Sequence, residues 1–215
     1  MTEIVVSEGF EVGISRSEVL RMLGIKLGSG KEEGERLRRV VDSSLQIARG
    51  LMRTAGLYRF VPGVDYPVRG MFDELERMAF CICTIGPDLE NEVTALANSG
   101  KLLESVVLDS VGSVAADSAA DYMEGEISGE AAEAGLRISC RASPGYGDWD
   151  IKGQAGIFEV LPGKRIGVEL KASFMMIPRK SVSFAVDVSK NPARMRSENS
   201  CRNCGRLDCI YKKDT

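Results

Sequence analysis

Between Lys101 and Glu126 the chain carries Ser110, Gly112, Ser113, Ala115, Ala116, Ser118, Ala119 and Ala120 in a stretch that reads as a helix. Side chains this small let a neighbouring backbone approach closely, and such a helix is expected to have another element packed tightly on it. Asp109, Asp117 and Asp121 interrupt the stripe, and the four-residue spacing of Asp117 and Asp121 sets those two on one face.

A second dense stretch follows, Arg141-Ala-Ser-Pro-Gly-Tyr-Gly-Asp-Trp149. Pro144 sets its own φ and pushes Ser143 toward an extended conformation, while Gly145 and Gly147 permit backbone angles and ligand approach that a side chain would obstruct. Arg141 offers planar donors suited to a carboxylate, Tyr146 and Trp149 offer faces for an adenine-like ring or a cation, and Asp148 offers a counter-charge. The set suits a small zwitterion bound partly by backbone. A solvated Gly/Pro turn is the plain alternative.

In chain order, Glu3 to Val6 and Phe10 to Ile14 read as short strands. Ser15 to Leu23 reads as a helix capped by Ser15 with Glu18 three residues on. After a Gly28-Ser-Gly30 turn, Lys31 to Ala55 forms an amphipathic helix through Leu37, Val40, Val41, Leu45, Ala48, Leu51 and Met52, its Arg36, Arg38 and Arg39 facing solvent. Leu57 to Pro62 and Arg77 to Ile85 follow as strands, the second buried. Cys81 and Cys83 flank Ile82 and are expected on opposite strand faces, as small core residues rather than metal ligands. Pro87 to Asn98 precedes the small-residue helix, and Leu136 to Cys140 feeds the loop as a strand, with Cys140 expected in the core. Ile151 to Leu161 reads as a helix, and Arg165 to Leu170 and Ser181 to Val188 as strands. The Met175-Met176 pair in the connector between them reads as core filler. An α+β fold with a mostly antiparallel twisted sheet flanked by helices is expected, although the interspersed order of helices and strands does not settle this by itself and leaves a mixed sheet open.

The 215 residues suffice for one main domain, expected over 1–190, with 191–215 as a linker and a cysteine-rich tail. Charged residues make up 27% and the net charge is −3, so no basic field exists to grip nucleic acid broadly. No apolar run reaches membrane-spanning length, and the first residues do not resemble a signal peptide, so a cytoplasmic protein is expected. Histidine is absent altogether, which removes the commonest general base and transition-metal ligand.

From Arg141 onward the chain resembles the reactivation domain of cobalamin-dependent methionine synthase, in particular the short stand-alone proteins of that family. The resemblance is carried by Arg-x-Ser-Pro-Gly-Tyr-Gly-Asp-Trp at 141–149, by Gln154 with Ile157-Phe158-Glu159, by Arg165-Ile-Gly-Val168 and by Met176-Ile-Pro-Arg-Lys-Ser-Val-Ser183. Cys83-Thr-Ile-Gly-Pro-Asp-Leu89 and Leu108-Asp-Ser-Val-Gly112 extend it to roughly residues 75–189. It implies the same α+β fold and binding of S-adenosylmethionine, the methyl donor that returns oxidised cobalamin to its active form. Arg141 and Tyr146 match binding positions of the family motif, as do Pro144 and Gly145 within it, and Ser143 stands where binding is through the main chain. Asp117 matches an acid of the site, where the family has the longer Glu; Gly135 stands where a second acid would be, and the family's N-terminal acid has no assigned counterpart. Methyl transfer to cobalt(I) needs alignment and exclusion of water rather than a base, which a chain without histidine can supply. The same absence rules out a D-x-H-x-x-G corrinoid signature, so the cobalamin is expected on a partner, a methionine synthase or another corrinoid protein.

The tail Cys201-Arg-Asn-Cys204-Gly-Arg-Leu-Asp-Cys209 lies outside that resemblance. Its three thiols could hold an iron-sulfur cluster, with Asp208 or water as fourth ligand and an electron donor as further partner, or a zinc ion. Free thiols or a disulfide in a tail are the third alternative. Functions consistent with these features are a component of corrinoid methyltransferase reactivation, an iron-sulfur electron-transfer protein, or a scaffold that binds a corrinoid protein without catalysis.

Overall fold

The computed structural model describes residues 3–24, 31–62, 77–147 and 149–192, with the side chains of 31–33 excepted. The expected turn at Gly28 to Gly30, Asp148 and the tail cysteines Cys201, Cys204 and Cys209 lie outside the described residues. The strands are β1 (Val5–Glu8), β2 (Ala55–Pro62), β3 (Arg77–Thr84), β4 (Arg137–Ile138), β5 (Glu169–Leu170), β6 (Met176–Ile177) and β7 (Ser181–Ser189). The helices are α1 (Arg16–Met22), α2 (Lys31–Leu51), α3 (Asp88–Asn98), α4 (Leu102–Glu133) and α5 (Gly153–Val160). Five strands form one sheet in the order β1-β2-β3-β7-β4, each neighbouring pair antiparallel, and β5 with β6 makes a separate hairpin. The fold is therefore α+β with an antiparallel sheet flanked by helices.

Strand β3 reads as an unbroken apolar run because both of its faces are covered. Ala79, Cys81 and Cys83 join the core beneath α4, whereas Met78, Phe80 and Ile82 join a second core with Trp149, Ile157, Val160 and Ile166. The two cysteines thus share a face, contrary to the expectation above, because residues two apart on a strand point the same way. Their role as small core residues stands, since both are fully buried.

The small-residue stripe of α4 is packed closely, as its composition requires. A Cβ added to Gly112 would lie 2.6 Å from Leu89 Cδ2 and 3.2 Å from Lys180 Cε, so any larger residue at this turn of α4 would have to displace the Leu89 side chain of α3 and the Lys180 side chain before β7. The helix runs on to Glu133, past the expected end at Glu126, because Ile127 and Ala131 continue its buried stripe. Ser15 caps α1, its hydroxyl accepting from the Glu18 amide at 3.4 Å, as expected. Three expectations are corrected. Phe10 to Ile14 is not a strand but crosses α4, fixed by Ser118 Oγ donating to the Gly13 carbonyl (2.6 Å) and by Phe10 stacked on Tyr122 with centroids 4.1 Å apart. Helix α2 stops at Leu51, since Ala55 already pairs with Glu8 and Thr84. Gly163–Ile166 is a 3-10 turn, leaving only Glu169–Leu170 as strand where Arg165 to Leu170 was expected.

Among the described residues no helix is long and apolar enough to cross a membrane. Phe80 fills the second core with 1% exposure, whereas Leu102 at the start of α4 is 65% exposed. Phe80→Ala is expected to cost about 3–5 kcal/mol in urea unfolding, against less than about 0.5 kcal/mol for Leu102→Ala.

Candidate functional site

The edge of the sheet beside β7 places Arg141. After β4 the chain continues along β7, with the Ser139 amide donating to the Asp187 carbonyl (2.9 Å) and Ala142 pairing with Ala185 through two 2.8 Å bonds. Ala142 joins the second core, and Arg141, one residue earlier, turns to the α4 side of the sheet. There its guanidinium carbon sits 5.9 Å from the centroid of the buried Phe184 ring.

Two acids of α4 meet the guanidinium. Arg141 Nη1 donates to Asp121 Oδ1 at 2.5 Å and to Glu124 Oε2 at 3.1 Å. The Arg141 and Glu124 side chains are only 25% and 29% exposed, while Asp121 is 58% exposed. Burial by itself weakens the hold of Arg141 on its proton, but the hydrogen bond and charge of Asp121, with the charges of Glu124 and Asp117, more than offset it and raise its pKa. Burial raises the Glu124 carboxyl above its ordinary value despite the opposing Arg141 charge, with Asp121 adding like-charge repulsion. Asp117, Asp121 and Glu124 follow one another at spacings of four and three, which is one face of a helix. The expected Asp117 is thus near Arg141, but the direct ion pairs come from Asp121 and Glu124. Asp121 was legible as the residue four positions from Asp117; Glu124 carried no signal beyond lying one further turn along.

The loop after Arg141 closes on itself. The Gly145 amide donates to the Trp149 carbonyl (2.7 Å), that of Tyr146 to the Ser143 carbonyl (3.2 Å) and that of Trp149 to the Tyr146 carbonyl (3.1 Å). These three amides are spent within the turn, so the expectation that the loop backbone binds a ligand does not extend to them. Gly145 has φ +89°, a conformation that suits glycine. Pro144 is buried, Ser143 is half-buried and Tyr146 is 70% exposed. Trp149 is 5% exposed in the second core, so it braces the loop instead of offering a face to a ligand. Cys140, expected in the core, is exposed.

The remaining segments of the resemblance anchor the framework. Lys180 Nζ lies 2.9 Å from Asp109 Oδ1 and donates to Ser113 Oγ at 2.8 Å, and Arg179 Nε pairs with Glu90 at 3.3 Å, which ties the segment before β7 to α3 and α4. Ser183 Oγ lies 3.3 Å from Oε1 of the buried Gln154. The expected methionine pair splits: Met176 packs on the second core, but Met175 is 54% exposed. The segment from Phe10 to Gly13 borders the site through Tyr122 and Ser118, neighbours of Asp121 and Asp117 on α4. A surface hollow of about 300 Å³, lined by Phe60, Arg77, Glu130, Ala131, Glu133 and Ala134, lies at the C-terminal end of α4 and contains none of these groups. Among the described residues no group of three His, Cys, Asp or Glu side chains could hold a metal ion.

Comparison with solved structures places this fold beside the MetH reactivation domain bound to AdoHcy, with a TM-score of 0.64. The likeness covers 88% of this chain and 79% of that one at 14% sequence identity, and it establishes a shared fold. No family model matches the sequence, and no curated protein does.

The raised pKa of Glu124 means that the folded state holds this proton more tightly than the unfolded chain does. The associated stability is present below the ordinary carboxylate pKa and is lost as pH rises through the folded-state value. Glu124→Gln should therefore gain in melting temperature relative to the wild type as pH rises from about 4, an unperturbed Glu pKa, through the raised folded-state value. Parallel melting curves across that range would contradict the assignment.

Proposed function

We propose that this chain binds S-adenosylmethionine between the Arg141–Tyr146 loop and α4, and supports reductive remethylation of the cobalamin carried by a partner, a methionine synthase or another corrinoid protein. The observation that carries the proposal is the meeting of Arg141 with the acidic face of α4, beside the Ser143-Pro144-Gly145-Tyr146 turn. It occurs in a fold shared with a reactivation domain that was solved with AdoHcy.

S-adenosylmethionine carries a carboxylate, an ammonium, a sulfonium and an adenine. Arg141 supplies a fixed cation for the carboxylate, Asp117 supplies negative charge for the cationic groups, and the exposed Tyr146 supplies an aromatic face at the rim. Ser143, Pro144 and Gly145 shape the turn that brings Tyr146 to that rim. These groups bind and orient, and none has to act as a base. A methyl acceptor that brings its own cobalt nucleophile requires no more of this chain than alignment of the donor. Cys201, Cys204 and Cys209 are proposed as ligands of an iron-sulfur cluster or a zinc ion, on the strength of their spacing.

Calorimetry should show S-adenosylmethionine binding that weakens by about a hundredfold in Arg141→Ala, the loss of two charge-assisted hydrogen bonds. When a cobalt(II) corrinoid protein and a reductant are added, the cobalt spectrum should pass to the methylcobalt form only with this chain present. Absence of wild-type binding would sink the proposal; binding without the spectral change would reduce it to a scaffold. Iron, sulfide and zinc analysis of anaerobically purified protein decides the tail, and metal-free protein would exclude both centres.

A further inference from the structure

In this structure the cation assigned to the ligand carboxylate is already engaged by two acids of the same chain. The two protons of Arg141 Nη1 serve Asp121 Oδ1 at 2.5 Å and Glu124 Oε2 at 3.1 Å. A planar guanidinium held by Nη1 keeps its opposite edge, Nε with Nη2, on the side away from those acids, and that edge is the one suited to a bidentate carboxylate. The Phe184 ring lies under the same guanidinium, its centroid 5.9 Å from the guanidinium carbon. Glu124 is the better sheltered of the two acids, at 29% exposure against 58% for Asp121.

We infer that Asp121 and Glu124 are positioning residues, which orient Arg141 so that its Nε and Nη2 edge meets the carboxylate of the amino-acid portion of the ligand. The inference rests on the S-adenosylmethionine reading above and assigns these acids a part that Asp117 does not share. An arginine free to rotate would lose side-chain entropy on binding, and one already held has paid that cost in folding. A direct role, in which the acids contact the ammonium or sulfonium, predicts a different pattern of losses. So does competition, in which they must let go of Arg141 before a ligand carboxylate can bind.

The test compares S-adenosylmethionine with its decarboxylated form, which keeps the sulfonium and the ammonium and lacks only the carboxylate. Asp121→Asn and Glu124→Gln, each isosteric, should lower affinity for S-adenosylmethionine by about tenfold while changing affinity for the decarboxylated ligand by less than about twofold. Equal losses for both ligands would overturn the inference in favour of direct contact, and tighter S-adenosylmethionine binding would overturn it in favour of competition. A wild type that binds neither ligand would instead overturn the reading on which the inference rests. Arginine side-chain nitrogen spectra of the ligand-free protein give a second readout. Slow rotation of the Arg141 Nη groups in the wild type, lost in the double variant, supports the assignment, and identical spectra contradict it.

Discussion

The close fit of α4 against its surroundings is the constraint on which the rest of the structure depends. Val107, Leu108, Val111, Ala115, Ala119, Met123 and Ile127 bury one continuous stripe in the core that also holds Cys81, Cys83 and Phe184 of the sheet. Small side chains bring the helix axis near the strands, and a core packed at this density transmits position faithfully. The acids of α4 are therefore presented at a defined height above β7. An arginine from the chain running beside β7 meets them because both elements are referenced to the same sheet.

The second core does the corresponding work from the other face. Trp149, Ile157 and Val160 pack against Phe80 and Ile82 and hold the end of the loop, whose beginning is held by the Ala142–Ala185 pairing. A loop pinned at both ends, with its own amides internally bonded, has already given up most of its conformational freedom. The site thus joins two layers: charge from the α4 side and a braced turn from the α5 side. Neither layer alone contains the full set of groups.

Several elements were legible because their signals are local. Ser15 and Glu18 marked the start of α1, and the apolar run of β3 marked a strand covered on both faces. The Arg141 to Tyr146 stretch stood out by its density of Pro, Gly, Arg and aromatic residues. What local reading missed is equally specific. Trp149 looked like a binding face because exposure cannot be read from residue type, and Arg165 looked like the start of a strand when it completes a 3-10 turn. Phe10 to Ile14 carried a strand-like pattern, yet its partners are Thr54 and a helix, so apolar alternation there served coverage rather than pairing.

The sequence by itself determined most of the helical and extended segments, the small-residue stripe that demands close packing, and the density of charged, aromatic, Pro and Gly residues after Arg141, since each follows from side-chain chemistry and periodicity. It also determined that any chemistry here proceeds without histidine. Only the tertiary structure decided that Arg141 is met by Asp121 and Glu124, with Asp117 contributing charge, and that Tyr146 stays outside while Trp149 goes in. The physical reason is that ion pairs across seventeen and twenty residues, and the burial of one aromatic over another, depend on how a helix and a strand edge are set against a common sheet. No local pattern encodes that relation.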